Sequence, residues 1–342
     1  MIRSMLGIID ATTHMEDLEE LTAHRTLAAL PIGGRYRLID FVLSNMVNSG
    51  IGSVAIFPKY QYRSLMDHLG SGKNWDLDRK RDGLFFFPAS MDDANTSGIG
   101  SFNHFSANMD YFQRSKQEYA LVANCFTVFN MNFTPVLERH LDSGCDITEI
   151  TNNGSSLEIY LIKKSKLIEL IHSRDDKGYT CMKDVVIDIN NQLKICEYEY
   201  NGYAEKINSI SSYYHVSKDI LKSKVWNQLF IKERPIFTKV KDEPPTRYTS
   251  TGEVKNSMIA NGCVIEGDIT NSIISRAVKV GKGSSLKNCI IMQKCTIGEN
   301  CHLDSVILDK DVIVESGTVM TGTATSPFVV RKGTVQGALM NS

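Results

Sequence analysis

A chain of 342 residues has room for two domains and a substantial core. With 38 lysines and arginines set against 39 acidic residues, no net charge draws it to nucleic acid or a membrane surface, and neither is expected as a partner. No apolar run approaches the roughly 18 residues of a membrane span. The eight cysteines include no C-x-x-C pair and no signal sequence is recognisable, so the reading is a cytoplasmic protein with reduced thiols.

In chain order, Met5 to Ile9 is an apolar run of strand length, and the loop after it lies where an open α/β sheet places its ligand. Glycines with bare amides would suit a phosphate there. This chain has Thr12, Thr13, His14, Met15, Glu16 and Asp17 instead, and Thr13-x-x-Glu16 reads as a capping box opening a short helix. Further strands are predicted at Val54–Pro58, Leu84–Phe87, Ala120–Cys125 and Glu158–Ile162. Helices are predicted at Ile39–Asn48, Tyr62–Leu69, Met109–Glu118 and Phe133–Ser143, which together describe a mixed α/β sheet. Pro235, Pro244 and Pro245 then break a polar connector.

Beyond it, Val264, Ile269, Ile274, Val280, Leu286, Met292, Ile297, Leu303, Leu308, Ile313 and Val319 recur about every 5.5 residues. A step near six is the mark of a hexapeptide β-helix, each step being one flat side of a triangular coil. Cys295 and Cys301 sit two residues before an apolar position, a slot for small packing side chains rather than metal ligands. Stacked coils expose end faces and a flank, so oligomerisation through this region is expected.

Gly33-Gly34-Arg35-Tyr36-Arg37-Leu38-Ile39-Asp40-Phe41, Leu43-Ser44-Asn45 and Asn48-Ser49-Gly50-Ile51 resemble one dense pattern, P-F-G-G-(K/R)-Y-R-x-I-D-F-x-L-S-N-x-x-N-S-G-I. That pattern belongs to the bacterial glucose-1-phosphate adenylyltransferase (ADP-glucose pyrophosphorylase) family. Val254 to Gly267 is similar to the family's V-x-N-S-L-I-A-x-G-C-x-I-x-G entry into its β-helix. The resemblance implies a Rossmann-like nucleotidyltransferase domain with a mixed sheet over residues 1–232 and a linker over 233–252. A left-handed parallel β-helix of hexapeptide repeats would follow over 253–342.

The departures from the family matter as much. Its L-A-G-G-x-G-x-R-L loop aligns with Asp10 to Leu18, so that the glycines become Thr12, Thr13 and Met15 and the phosphate-binding arginine becomes Asp17. The lysine of K-P-A becomes Leu27. The two aspartates that hold the metal in the family fall on Phe126 and Lys206, and a later aspartate of the first motif is Asn132. Glu205 neighbours Lys206, but in a strand it points to the other face. The sugar-binding F-x-E-K-P segment has no counterpart, because Asp146-Ile147-Thr148 runs through Asn152-Asn153-Gly154 straight into Ser155 to Tyr160. Transfer between two anionic substrates depends on Mg²⁺ and cationic groups that offset phosphate charge, and losing one such group often costs roughly 10²–10³ in rate.

The resemblance therefore implies a noncatalytic, regulatory-type subunit that holds no metal or cofactor of its own. It would join a catalytic subunit, where Mg²⁺ resides, in a hetero-oligomer expected to be a tetramer. The alternatives are a weakly active adenylyltransferase making ADP-glucose and pyrophosphate from ATP and glucose 1-phosphate, and a hexapeptide acyltransferase using His302. His24, Arg25, Arg35 and Arg37 form a basic cluster matching positions near the family's effector site, so they are the candidate ligands for a phosphate or sugar-phosphate effector. Salt bridging within the fold is the competing role for these residues, and Arg247 and Lys332 are candidates to complete the site. Gly70 to Arg79 matches the family's G-x-P-W-D-L-D-R and reads as a structural loop anchored by Trp75. Lys59-Tyr60-Gln61 replaces Q-Y-Q, whose leading glutamine is held to relay effector binding in the family.

Overall fold

Met5–Ala11 (β1) is apolar and buried along its whole length, as a strand covered on both faces must be. The computed structural model describes residues 4–89, 98–249 and 252–337. It places β1 inside a seven-stranded sheet. After β1 come the helix Leu38–Asn48 (α1) and the strands Ser53–Pro58 (β2), Gly83–Phe86 (β3), Tyr119–Asn124 (β4) and Thr127–Phe129 (β5). The helix Thr134–Ser143 (α2) leads to Ile147–Asn152 (β6), Ser155–Lys163 (β7), Ile195–Glu199 (β8), Ala204–Lys206 (β9) and the helix Ile210–Asp219 (α3). The sheet order is β8-β6-β7-β4-β1-β2-β3. Only β7 opposes its neighbours in direction, so the sheet is mixed as expected. β5 and β9 pair separately as an antiparallel ribbon.

Three of the predicted elements differ most. Thr13 makes no cap; the first short turn, Glu16–Leu18, starts from an extended Met15 with no side-chain bond. The Thr12 amide and hydroxyl instead donate to Asp10 Oδ1 at 2.8 and 2.6 Å, so Asp10 has already folded the chain back. The helix from Met109 stops at Arg114, because Ser115 is extended and the Glu118 amide must reach the Ser4 carbonyl to start β4. The stretch 233–252 is not a free linker: Asn48 Nδ2 donates to Pro235 O, the Phe237 amide donates to Ser44 Oγ, and Ile236 is buried against α1. Arg247–Tyr248 already pairs with Val264–Ile265 as the first rung of the β-helix. Positions 250 and 251 of the expected linker, and 338–342 of the expected β-helix, lie outside the described residues. The thiols also differ, since Cys145 and Cys196 are disulfide-bonded with Cα atoms 6.1 Å apart. The parallel pairing of β8 with β6 brings Cys196 beside the start of β6; the other six cysteines are free and buried.

The β-helix stacks its coils so that Lys279, Thr296 and Ile313 lie in one column, 17 residues apart. Its corners are set by left-handed residues such as Asn271 and Asn288, φ 48° and 54°, which asparagine tolerates better than most side chains. The sequence period finds the repeat but slips its register at several rungs. Ile265, Ile291, Val314 and Met320 point inward, while Ile313 and Val319 are 47% and 46% exposed. A rung only two or three residues long alternates in and out, so one position of slip inverts the face. Cys263, Cys289, Cys295 and Cys301 all pack inside, Cys295 Sγ lying 3.0 Å from the carbonyl of Asp309.

This register has a direct check. Leu303→Ala, which empties an inward position, is expected to cost about 2–5 kcal/mol, and Ile313→Ala less than about 0.5. Both are read from urea midpoints at unchanged slope.

Candidate functional site

One face of the β-helix closes the nucleotidyltransferase-like domain. Ile290, Met292 and Ile307 belong to the same apolar core as β1 and α1. Tyr214 of α3 donates its hydroxyl to the Asn288 carbonyl at 2.7 Å, and Lys218 donates to the Asn271 carbonyl. Gly33 and Gly34 make the turn of a small ribbon at the junction, with φ of 55° and 73°. The β-helix passes close by, since a Cβ on Gly34 would stand 3.6 Å from the Ile274 carbonyl.

Arg25 lies in this junction, 3% exposed. Its Nη2 donates to both carboxylate oxygens of Asp309 at 2.7 and 2.9 Å, and Nη1 to the Leu21 carbonyl at 2.8 Å. The guanidinium is thus committed to tying the domains together. His24, next to it, is exposed.

Arg35 and Arg37 do come together, in company the sequence did not suggest. Two adjoining clefts of 310 and 210 Å³ between the domains are both lined by Arg35, Lys239, Lys241 and Arg276; the smaller adds Arg37, Asp67 and His68. Burial pushes the Arg37 guanidinium down to about 10, with Arg25 and Arg276 adding to the shift and Asp40 and Asp67 opposing it. Arg276 and Lys241 are lowered by burial and then mainly by neighbouring cations. Lys310 is pushed down to about 7 by burial and by the charges of Arg37, Arg25 and Lys332, with Asp309 opposing. Asp40 is no free counter-ion: it accepts the Arg37 amide at 2.9 Å, capping α1, and His68 Nε2 stands 2.6 Å from its other oxygen. Burial holds His68 below its ordinary value despite that carboxylate. The lysines 239 and 241 sit two apart in the connector, a spacing that puts both on one side of an extended segment. Neither Arg247 nor Lys332 lines either cleft, though the charge of Lys332 bears on Lys310.

The end of β1 opens on a cavity of 440 Å³ lined among others by Thr12, Thr13, Leu27, Tyr60 and Gln61. Asp17 and Glu16 are exposed and do not line it; Glu19 is the carboxylate at this cavity. Asp10 Oδ2 accepts the Gly100 amide at 2.7 Å. Leu27 is buried in a turn capped by Thr26 Oγ1, which accepts the Ala28 amide at 3.1 Å. Lys59 is buried with its ammonium 4.9 Å from the centre of the Tyr60 ring.

At the two metal positions the side chains do not fit a divalent ion. Phe126 is 3% exposed inside the core, its amide donating to Asn124 Oδ1 at 3.0 Å. Lys206 places its ammonium 3.1 Å from Glu158 Oε1, so this position carries its own cation and counter-ion. Burial and Asp219 raise the neighbouring Glu205 carboxyl. Asn132 Oδ1 accepts the Thr134 amide at 3.0 Å, just ahead of α2. Among the described residues no group of three or more His, Cys, Asp or Glu side chains could hold a metal. β6 turns directly into β7 through Asn153 and Gly154, φ 51° and 72°, a two-residue hairpin connection. Trp75 is buried, donating to Ser44 Oγ at 3.2 Å, so its loop is structural. His302 faces outward on a coil between Ser285 and Val319.

Comparisons with known proteins agree with this geometry. A nucleotidyl transferase family profile matches residues 16–155, and the profile of the GlmU-like, C-terminal hexapeptide matches residues 244–326. The glycogen biosynthesis protein GlgD of Bacillus subtilis strain 168 is 55% identical over 99% of this chain and 98% of its own length. GlgD of Geobacillus stearothermophilus is 59% identical over the full length of both. A glucose-1-phosphate adenylyltransferase of Bacillus anthracis is 27% identical over 89% of this chain and 91% of its own length.

The domain tie is tested by replacing one partner and then both. Arg25→Met strands a buried carboxylate and is expected to cost about 3–5 kcal/mol. Arg25→Met with Asp309→Leu should recover most of that loss, as read by a double-mutant cycle in urea.

Proposed function

The chain belongs to the GlgD family of glycogen biosynthesis proteins, and we propose that within it this chain is a noncatalytic regulatory subunit. It pairs with a catalytic glucose-1-phosphate adenylyltransferase and shifts that enzyme's activity. One observation carries the reading: the Lys206 ammonium, already paired with Glu158, stands where the family holds its metal. The buried Phe126 at the other metal position and the two-residue turn in place of the sugar segment support it. The fold is meanwhile kept intact, which is what an assembly surface requires. Such a subunit acts on its partner only through contacts that differ between the partner's active and inactive states.

The test is pyrophosphorolysis of ADP-glucose by this chain, by the catalytic subunit of the same cell, and by the two co-expressed. The isolated chain should run at least about a hundredfold below the catalytic subunit, and the mixture should co-purify with altered kinetics. Turnover by the isolated chain near the partner's level overturns the silence; failure to co-purify with unchanged kinetics overturns the regulatory role.

The clefts lined by Arg35, Arg37, Lys239, Lys241 and Arg276 are the effector site on this reading, and the ligand is a phosphate or sugar phosphate. Cations gathered at a half-buried junction repel one another until an anion enters. Lys310 lines neither cleft, but the charge of Arg37, which does line the smaller one, bears on it, and through that coupling it supplies the pH dependence. Its value near 7 lies below that of a free lysine, so the fold resists its proton, and that penalty is present below about pH 7 and fades as pH rises towards the ordinary value. A bound anion reverses the preference, and binding near neutrality takes up a proton. Sulfate, which does not itself titrate there, should bind more tightly at pH 6.5 than at 8.5. Lys310→Met should flatten that difference, and Arg276→Ala should weaken binding at both, as measured by titration calorimetry.

A further inference from the structure

The cavity at the end of β1 has no task in the regulatory reading, yet its volume of 440 Å³ falls in the ordinary range for small-molecule sites. Its chemistry is that of neutral ligands. The one permanent cation among its lining residues is Arg25, and both of that side chain's terminal nitrogens are committed, Nη2 to Asp309 and Nη1 to the Leu21 carbonyl. Glu19 adds a negative charge at the wall, and Asp10 beneath it has taken the Gly100 amide. A phosphate entering here would give up its water with no uncommitted permanent cation among the lining residues to replace it, and the Lys59 ammonium outside that lining lies against the Tyr60 ring.

Hydroxyl groups are better served. Thr26 Oγ1 accepts the Ala28 amide, which leaves its own proton to donate. Thr12 Oγ1 donates to Asp10 Oδ1 at 2.6 Å, which leaves its lone pairs to accept. Gln61 offers both functions in one amide. Met15 and Leu27 supply apolar surface, and the rings of His14 and Tyr60 meet edge to face with centres 6.5 Å apart. One apolar side and one hydroxyl side fit a polyhydroxylated ring compound.

We propose that this cavity binds an uncharged, hydroxyl-bearing ring compound, a nucleoside or a free sugar, and rejects its phosphorylated form. The inference rests on the reading that the site is catalytically silent. Discrimination comes from what the pocket withholds as well as from what it offers.

Calorimetric titrations of the full chain, without divalent ions, would compare adenosine with ATP and glucose with glucose 1-phosphate. The expected result is saturable binding of at least one uncharged probe, at least tenfold tighter than its phosphorylated partner; which probe it is separates the two sources. Ala23→Trp, at an exposed lining position, should abolish that binding while leaving the thermal unfolding midpoint unchanged. Glu19→Arg should narrow the gap by favouring the phosphorylated probe. No binding of either uncharged probe up to about 10 mM overturns the inference. So does equal binding of a phosphorylated partner, or an Ala23→Trp variant that binds as before. Turnover by the isolated chain is a separate readout and would sink the silence itself, so the two failures are distinguishable.

Discussion

A buried ion pair between Arg25 and Asp309 sets the terms for the rest of the molecule. It joins a loop of the first domain to a coil of the second at a separation of 284 residues, with both side chains almost wholly shielded from water. A pair in that position contributes specificity more surely than stability, because desolvation offsets much of the attraction. Its geometric effect is plain. It ties the β-helix to the first domain, and it commits to Arg25 the carboxylate that also opposes the lowering of Lys310. The excess of positive charge along the domain junction follows from that commitment.

The emptied centre obeys the same rule of local neutrality. Lys206 meets Glu158, Asp10 meets backbone and threonine donors, and Phe126 lies among apolar neighbours. None of these groups is left waiting for a substrate. At the domain junction, by contrast, the lining cations outnumber Asp67, the carboxylate of the smaller cleft. On the reading proposed here, ligand sensing and transfer chemistry have been separated in space, and only the first kept its electrostatics.

Much of this could be read without coordinates. The apolar run of Met5 to Ile9 marked a central strand because burial on both faces leaves no alternation, and the period near six marked the coils. The losses at Phe126 and Lys206 were visible as residue types that cannot ligate a hard cation. What could not be read depends on partners far away in the chain. Arg25 looked like an effector ligand because it matches a position near the family's effector site; the carboxylate that takes it, Asp309, lies 284 residues away in another domain. Lys239, Lys241 and Arg276 were invisible as a group, since separate segments supply them. The inward register of Ile265 and Val314 was missed because neighbouring apolar residues compete for the same inward position in rungs this short.

The turn at Asn153 and Gly154 carries a consequence for descent. A phenylalanine or a lysine can revert to aspartate by substitution, and a pocket so altered is recoverable in principle. A segment with no counterpart in the chain is different. β6 and β7 now register against each other directly, and any insertion between them has to fold, find a ligand and leave that pairing undisturbed in one event. On the reading proposed here, the hairpin acts as a ratchet: a connection this short leaves no gradual route by which to build a sugar-holding segment between the two strands.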